Sequence, residues 1–236
     1  MTQKDYVIDA MLKNGGYATL RKLNGTVDFS TWGTKTPYAS IRRIVQTNKE
    51  FFRIESGLWG LTEHKDAVLK KLSIKEDNDK SKADFTHGYM QGIITEIGNI
   101  RHYTTYVPPQ DKNRAFLEKK LFDVVTLHEI YNFTYPKILN FAKTIDVIWF
   151  NERNLPNAFY EVEHTTDMKN SLNKFYELQD YRAKFYIVAA QERKRQFDSI
   201  IENSIYNGIR DYVKFVSYDT LIEQYEKESI IIDGEI

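Results

Sequence analysis

Lys184 to Ala190 reads KFYIVAA, a strand-length run with no charge after its first residue. Apolar side chains that do not alternate with polar ones suit a strand buried on both faces. Such strands lie inside sheets covered by helices on each side. The flanking sequence supplies the remaining layers. Thr166 to Tyr181 and Gln196 to Tyr206 carry helical patterns, and Ile145 to Phe150 (IDVIWF) and Ala158 to His164 (AFYEVEH) are strand-like runs joined by a polar turn with Pro156 and Asn157. Strands alternating with helices make this an α/β architecture, a mixed sheet flanked by helices. His87 to Asn99 (HGYMQGIITEIGN) predicts a helix despite its glycines, with Tyr89, Ile93, Ile94 and Ile97 as its apolar set. Further strands are expected at Arg101–Val107, Glu129–Tyr135 and Val213–Val216, and further helices at Phe116–Val125, Lys137–Lys143 and Leu221–Lys227.

This α/β part does not fill the chain. Ser73 to Asp84 (SIKEDNDKSKAD) is almost wholly polar and buries too little to offset the cost of ordering, so it reads as a linker. It divides a domain at 1–72 from one at 85–236. In the first, Tyr6, Val7, Ala10 and Met11 recur at helical spacing before Gly15-Gly16, a short helix starts at Thr19, and Thr36-Pro37 opens a third. In that third helix Ile41, Ile44 and Val45 form the buried stripe. Phe51 to Ile54 and Leu58 to Leu61, around Glu55-Ser56-Gly57, predict a hairpin.

Charge bears on the partner. The chain balances 33 basic against 33 acidic residues, yet residues 1–70 hold eleven basic and seven acidic ones. The second part is therefore acidic, as a set of metal-binding carboxylates or simply of solvated helices would make it. The absence of cysteine excludes disulfides and thiolate metal sites and favours an intracellular, cytoplasmic home. Met1 to Lys13 has no secretory pattern, and no run is long enough for a membrane span.

TPYASIRRIVQTN followed by FFRIESGLWGLTE resembles the winged-helix domains of some restriction enzymes and chromatin proteins, over roughly residues 4–63. The resemblance implies a third helix in the DNA major groove. Ser40, Arg42, Arg43, Gln46 and Lys49 would be DNA contacts, with Arg53 in the wing. Winged helices also serve as protein-contact modules, and salt-dependent binding to duplex DNA separates the two uses.

Three acids sit in the strand-like runs. Asp146 is flanked by Ile145 and Val147, and Glu161 and Glu163 alternate with Tyr160 and Val162. Burying an unpaired carboxylate is costly, so each needs a partner. Period-2 geometry puts Glu161 and Glu163 on one face. If the strands are neighbours, all three converge and repel unless a cation neutralises them. A hard divalent ion such as Mg²⁺ suits an all-oxygen set. The endonuclease reading depends on that convergence.

The order Asp146, a gap, then Glu161-Val162-Glu163 resembles the PD-(D/E)XK nuclease superfamily, to which many restriction endonucleases belong. The resemblance covers about residues 86–190, including EIGN near Glu96, TIDVIWF and FYEVEHTTDMKNSL. It implies Asp146, Glu161 and the carbonyl of Val162 as Mg²⁺ ligands, Mn²⁺ being able to substitute. The position normally held by lysine is Glu163 here, a departure shared with a minority of restriction enzymes. Glu163 would orient the water or hold a second ion, and Glu96 would be the helix acid that joins the site. The implied activity is site-specific, type II restriction-like cleavage of double-stranded DNA by a homodimer, with no organic cofactor and no membrane. The alternatives are a catalytically inactive DNA-binding or regulatory protein on the same fold, which the missing lysine favours, and a winged-helix protein-contact module joined to an unrelated α/β enzyme.

Other residues have plainer readings. Thr165-Thr166-Asp167 is expected to cap the following helix, and His164 to sit at a core edge. Tyr103, Tyr106 and Trp149 read as core aromatics, and Arg193-Lys194-Arg195 as a solvated helix start. Lys169 and Lys174 are candidates for phosphate contact, and Lys169 is the candidate stand-in for the motif lysine. Gln179 is expected on the active-site side.

Overall fold

The computed structural model describes residues 1–164 and 167–234, with 229–234 described by their backbone alone. Two compact units emerge: Met1–Ser81 with the residues from Gln224 on, and Lys82–Glu223.

In the first unit, α1 (Gln3–Lys13) begins at Thr2, whose hydroxyl accepts the Asp5 N–H while the Asp5 carboxylate accepts the Thr2 N–H. That reciprocal cap satisfies two donors left over at the helix start. Gly15 and Gly16, at φ +80° and +89°, turn the chain into β1 (Tyr17–Thr19). Thr19 then caps α2 (Leu20–Thr26). Pro37 occupies the first position of α3 (Pro37–Thr47), where a missing N–H is harmless. β2 (Phe51–Glu55) and β3 (Leu58–Leu61) form the expected hairpin, and α4 (Lys65–Lys71) follows. The sheet has three antiparallel strands in the order β1-β3-β2. β1 escapes a sequence reading because its three residues are all buried and leave no alternation.

The second unit is a mixed α/β layer structure. Its elements are α5 (Asp79–Ile100), whose first residues belong to the first unit, β4 (Thr104–Tyr106), β5 (Ala115–Phe116), β6 (Lys119–Lys120), α6 (Pro136–Ala142), β7 (Val147–Phe150), β8 (Pro156–Glu163), α7 (Met168–Glu177), β9 (Lys184–Ala189), α8 (Lys194–Ile201) and β10 (Val213–Ser217); α9 (Tyr218–Gly234) begins here and continues in the first unit. Five strands pair in the order β10-β9-β8-β7-β4. β8, β9 and β10 run parallel, and β7 and β4 pair antiparallel. The run KFYIVAA is thus an interior strand. One core cluster joins Ile148, Phe159, Phe185 and Ile187 of the sheet to Leu172 and Phe175 of α7 and Ile200 of α8. Trp149, Tyr160 and Tyr186, on the alternate positions, form an aromatic ladder with successive ring centroids 4.7 Å apart.

The glycines of α5 let it approach the rest of the unit closely. A Cβ on Gly92 would lie 2.0 Å from the Phe116 ring, and one on Gly98 would lie 2.6 Å from Thr105 and Trp149. Larger residues would push the helix away, so the helix-propensity cost of glycine is offset by proximity.

Several expectations need correction. The segment read as a linker gives its second half to α5, because Asn78 caps the helix by accepting the Ser81 N–H at 3.0 Å. Phe116–Val125 is not an α-helix. It holds part of the β5–β6 hairpin and a 3-10 turn at Leu121–Asp123, with Leu117 at φ +55°, a value no right-handed helix accommodates. Glu129–Tyr135 forms no strand. Its aromatics pack edge-on against Phe150, Tyr131 at 5.2 Å and Phe133 at 5.8 Å between centroids. Asp146 lies one residue before β7 rather than within it. Asp167 caps α7 by accepting the Lys169 N–H, whereas Thr165 and Thr166 lie outside the described residues.

Candidate active site

Antiparallel pairing of Val147 with Tyr160 carries the register on to Asp146 opposite Glu161. The Asp146 N–H donates to Glu161 Oε1 at 3.3 Å, and Asp146 Oδ2 accepts the Val162 N–H at 2.7 Å. Asp146 is 8% exposed, and Glu161 and Glu163 are each 3% exposed. Two of the three acids therefore meet directly.

Glu163 joins them through α7. Ser171 Oγ lies 2.8 Å from Glu161 Oε2 and also hydrogen-bonds Glu163. A serine hydroxyl has one proton, so the two carboxyl groups share a single donor in Ser171. Burial, and then the negative charge of Asp146, push the Glu161 carboxyl up to about 8, against the pull of Lys174 and Ser171. Lys174, three residues along α7 from Ser171, places Nζ 2.8 and 2.9 Å from the two Glu161 oxygens and 3.0 Å from the Thr144 carbonyl. Arg193 Nη1 stands 3.8 Å from Glu163 Oε2, so the expected solvated helix start turns one arginine inward. Tyr218 donates to the Glu163 carbonyl at 3.3 Å.

Lys174 also lines a cleft of about 570 Å³ with Phe141, Thr144, Asn170, Tyr176 and Ile205. None of the three acids lines this cleft; Lys174 is what links it to Glu161. Lys169, the expected stand-in for the motif lysine, is exposed in the first turn of the helix; the lysine beside Glu161 is Lys174.

On the other side of Asp146 lies α5. His87 Nε2 is 3.3 Å from Asp146 Oδ1. One turn on, Gln91 Nε2 donates to Asp111 Oδ2 at 2.9 Å and to the Asp146 carbonyl at 3.3 Å. Arg114 Nε donates to Asp111 Oδ1 at 2.6 Å. Burial works to lower the His87 pKa, but the hydrogen bond and charge of Asp146 prevail and raise it. Among the described residues, His87, Asp111 and Asp146 are the group whose ligand atoms all lie within 4.8 Å of one another. Glu96 is nine residues from His87, and at about 100° per residue this puts it on the opposite side of the helix.

His87, Gln91, Asp111, Arg114 and Ser171 had no signal strong enough to be chosen from sequence. The spacing of His87 and Gln91 at i and i+4 was the one available hint, and it was masked by the apolar residues around it.

In the first unit, Arg43, Gln46, Lys49 and Arg53 are exposed. Arg42 is engaged with Glu226 at 2.5 Å, and Ser40 Oγ donates back to the Thr36 carbonyl at 3.2 Å. Gln179 belongs to the second unit, where its Oε1 lies 2.7 Å from the Cβ position of Gly208. No helix among the described residues is long and apolar enough to cross a membrane.

No curated protein and no solved structure matches the chain. A family model does: the type II restriction enzyme NmeDI C-terminal domain, matched over residues 68–233, which is well over half of the chain and includes Asp111, Asp146, Glu161 and Glu163. This chain belongs to the family of type II restriction enzyme NmeDI C-terminal domains.

Proposed function

We propose that the chain is a site-specific endonuclease of the PD-(D/E)XK kind, hydrolysing double-stranded DNA with Mg²⁺. The observation that carries this reading is the buried pair Asp146 and Glu161, on neighbouring strand segments and met by half-buried Lys174 from α7, in a chain of a restriction-enzyme family.

The residues suit a hard divalent ion on their chemistry. Asp146 and Glu161 are close enough for the charge of one to oppose ionisation of the other, a repulsion that a dication relieves. Asp146, Glu161 and the Val162 carbonyl would hold it. When bound, Mg²⁺ or Mn²⁺ supplies Lewis-acid polarisation of a phosphate oxygen.

The chain's own groups do the rest. Lys174 brings the positive charge missing from position 163, and its ammonium stabilises negative charge developing on the phosphate. Glu163, paired with Ser171, orients the attacking water and accepts its proton. Glu96, across the helix from His87, keeps only an outer supporting role. Lys169, exposed on α7, contacts the DNA backbone.

The first unit is proposed as a winged-helix reader, α3 entering the major groove and β2–β3 forming the wing. Arg43, Gln46, Lys49 and Arg53 would face DNA, with Ser40 and Arg42 nearer the helix base. Two copies would cut the two strands as a homodimer.

The test is incubation of purified protein with supercoiled plasmid and Mg²⁺ or Mn²⁺, followed by sequencing of the ends. Discrete ends that vanish with Asp146→Ala support the reading. Intact plasmid with tight, salt-dependent DNA binding would identify a non-cutting DNA-binding protein instead.

A further inference from the structure

We propose that His87, Asp111 and Asp146 form a second cation site, of the mixed nitrogen–oxygen kind that favours Mn²⁺ over Mg²⁺. The proposal goes beyond the cleavage reading, because a chain that binds DNA without cutting it would still hold this ion.

Three observations on different elements carry it. First, one imidazole nitrogen and two carboxylates from α5, the loop after β4 and the start of β7 converge with all three ligand atoms within 4.8 Å. An imidazole among oxygens shifts preference from Mg²⁺ and Ca²⁺ towards the first-row transition ions.

Second, Gln91 is fully buried, and its Nε2 bridges Asp111 and the Asp146 carbonyl. Its Oε1 has no hydrogen-bond partner. Covalent geometry keeps that oxygen beside the two carboxylate-bearing residues. An unpaired amide oxygen is costly in a protein interior, and a cation in the cluster would give it one.

Third, Asp146 has two differently directed oxygens. Oδ2 is committed to the Val162 N–H on the Glu161 side, while Oδ1 faces His87. One carboxylate therefore serves both centres without either displacing the other's contact. Asp111 is steadied from outside by Arg114, an orientation of the kind that outer partners give to metal-binding carboxylates. The His87 side chain is 22% exposed, leaving the ion a way in from solvent.

The experiment uses the full chain, stripped of metal, in the absence of DNA. Mn²⁺ is titrated and bound ion is counted from the loss of the free-ion electron paramagnetic resonance signal. In parallel, the imidazole resonances of the five histidines are followed by NMR. The His87 resonance is expected to broaden at the lowest Mn²⁺ concentration. His87→Gln and Asp111→Asn should each weaken Mn²⁺ binding about tenfold or more, since losing even an outer partner commonly costs that much. His64→Gln, at an exposed site, should not. His87→Gln should also reduce the ratio of Mn²⁺ to Mg²⁺ affinity.

Mn²⁺ affinity unchanged in variants that keep the wild-type melting curve would overturn the proposal. So would preferential broadening of any other histidine in the wild-type chain, a result that holds even if a variant fails to fold. Plasmid left uncut beside tight Mn²⁺ binding would sink the endonuclease reading alone.

Discussion

Lys174 reaches both carboxylate oxygens of Glu161, at 2.8 and 2.9 Å, from a helix that follows the strand carrying the acid. A lysine two residues after the acid would have lain on the same strand; here the cation comes from the helix instead. On the PD-(D/E)XK reading proposed above, the positive charge would thus come from a second element and leave Glu163 for another task.

This relationship makes the two lysines of α7 separable. Lys174→Met should lower the single-turnover cleavage rate by about 100-fold or more, the scale of losing one charge-stabilising donor. Lys169→Met should instead raise the DNA concentration needed for half-maximal rate and leave the saturated rate within a few-fold. Reversed outcomes would return the motif role to Lys169.

Glu161 gives the metal-free protein a pH signature. Its folded pKa of about 8 lies above the ordinary carboxylate value of 4.5, so between these the native state holds a proton that the unfolded chain has lost. Stability from this group therefore falls as pH rises through that window. Urea denaturation at pH 5 and pH 8 should show Glu161→Gln gaining on the wild type at the higher pH, on the order of 1 kcal/mol or more. Parallel profiles would mean that Lys174 keeps the acid ionised throughout.

The approach of α5 can be tested at Gly92. Alanine normally favours a helix over glycine by about 1 kcal/mol, but its methyl carbon would fall 2.0–2.5 Å from three atoms of the Phe116 ring. Phe116 is 1% exposed and has nowhere to move. Gly92→Ala should therefore destabilise by about 1–3 kcal/mol, and adding Phe116→Leu should recover part of the loss. A stabilised single variant would contradict the packing described.

Adjacent arginines on α3 should behave differently. Arg42 is paired with the nearly buried Glu226, so Arg42→Ala should lower the melting temperature through a loss of about 1 kcal/mol. Arg43 is exposed. Its replacement by alanine should leave stability alone, weaken DNA binding, and reduce the slope of log affinity against log salt by about 1 if it meets a phosphate.

What could be read from sequence was periodic. KFYIVAA announced an interior strand because nothing in it alternates, and the acids at 161 and 163 declared a shared face by their spacing. What could not be read depended on distant packing. Tyr131 and Phe133 look like strand residues but cap Phe150 from a loop, since aromatic content records burial without saying by what route. His87 and Asp111 are 24 positions apart, and only the close seating of α5 on its glycines brings them to Asp146. Lys174 was visible as a helix residue, but its pairing with Glu161 needed the register of α7 against β8.

The bond from the Val162 amide to Asp146 stands where a neighbouring strand would ordinarily supply an acceptor. A side chain that completes a sheet in this way makes the end of that sheet responsive to solution conditions. Whatever neutralises or reorients the aspartate should be audible at one backbone proton: its exchange with deuterated solvent should quicken or slow with the ionic occupancy of the centre, while amides farther along β8 keep time with global unfolding.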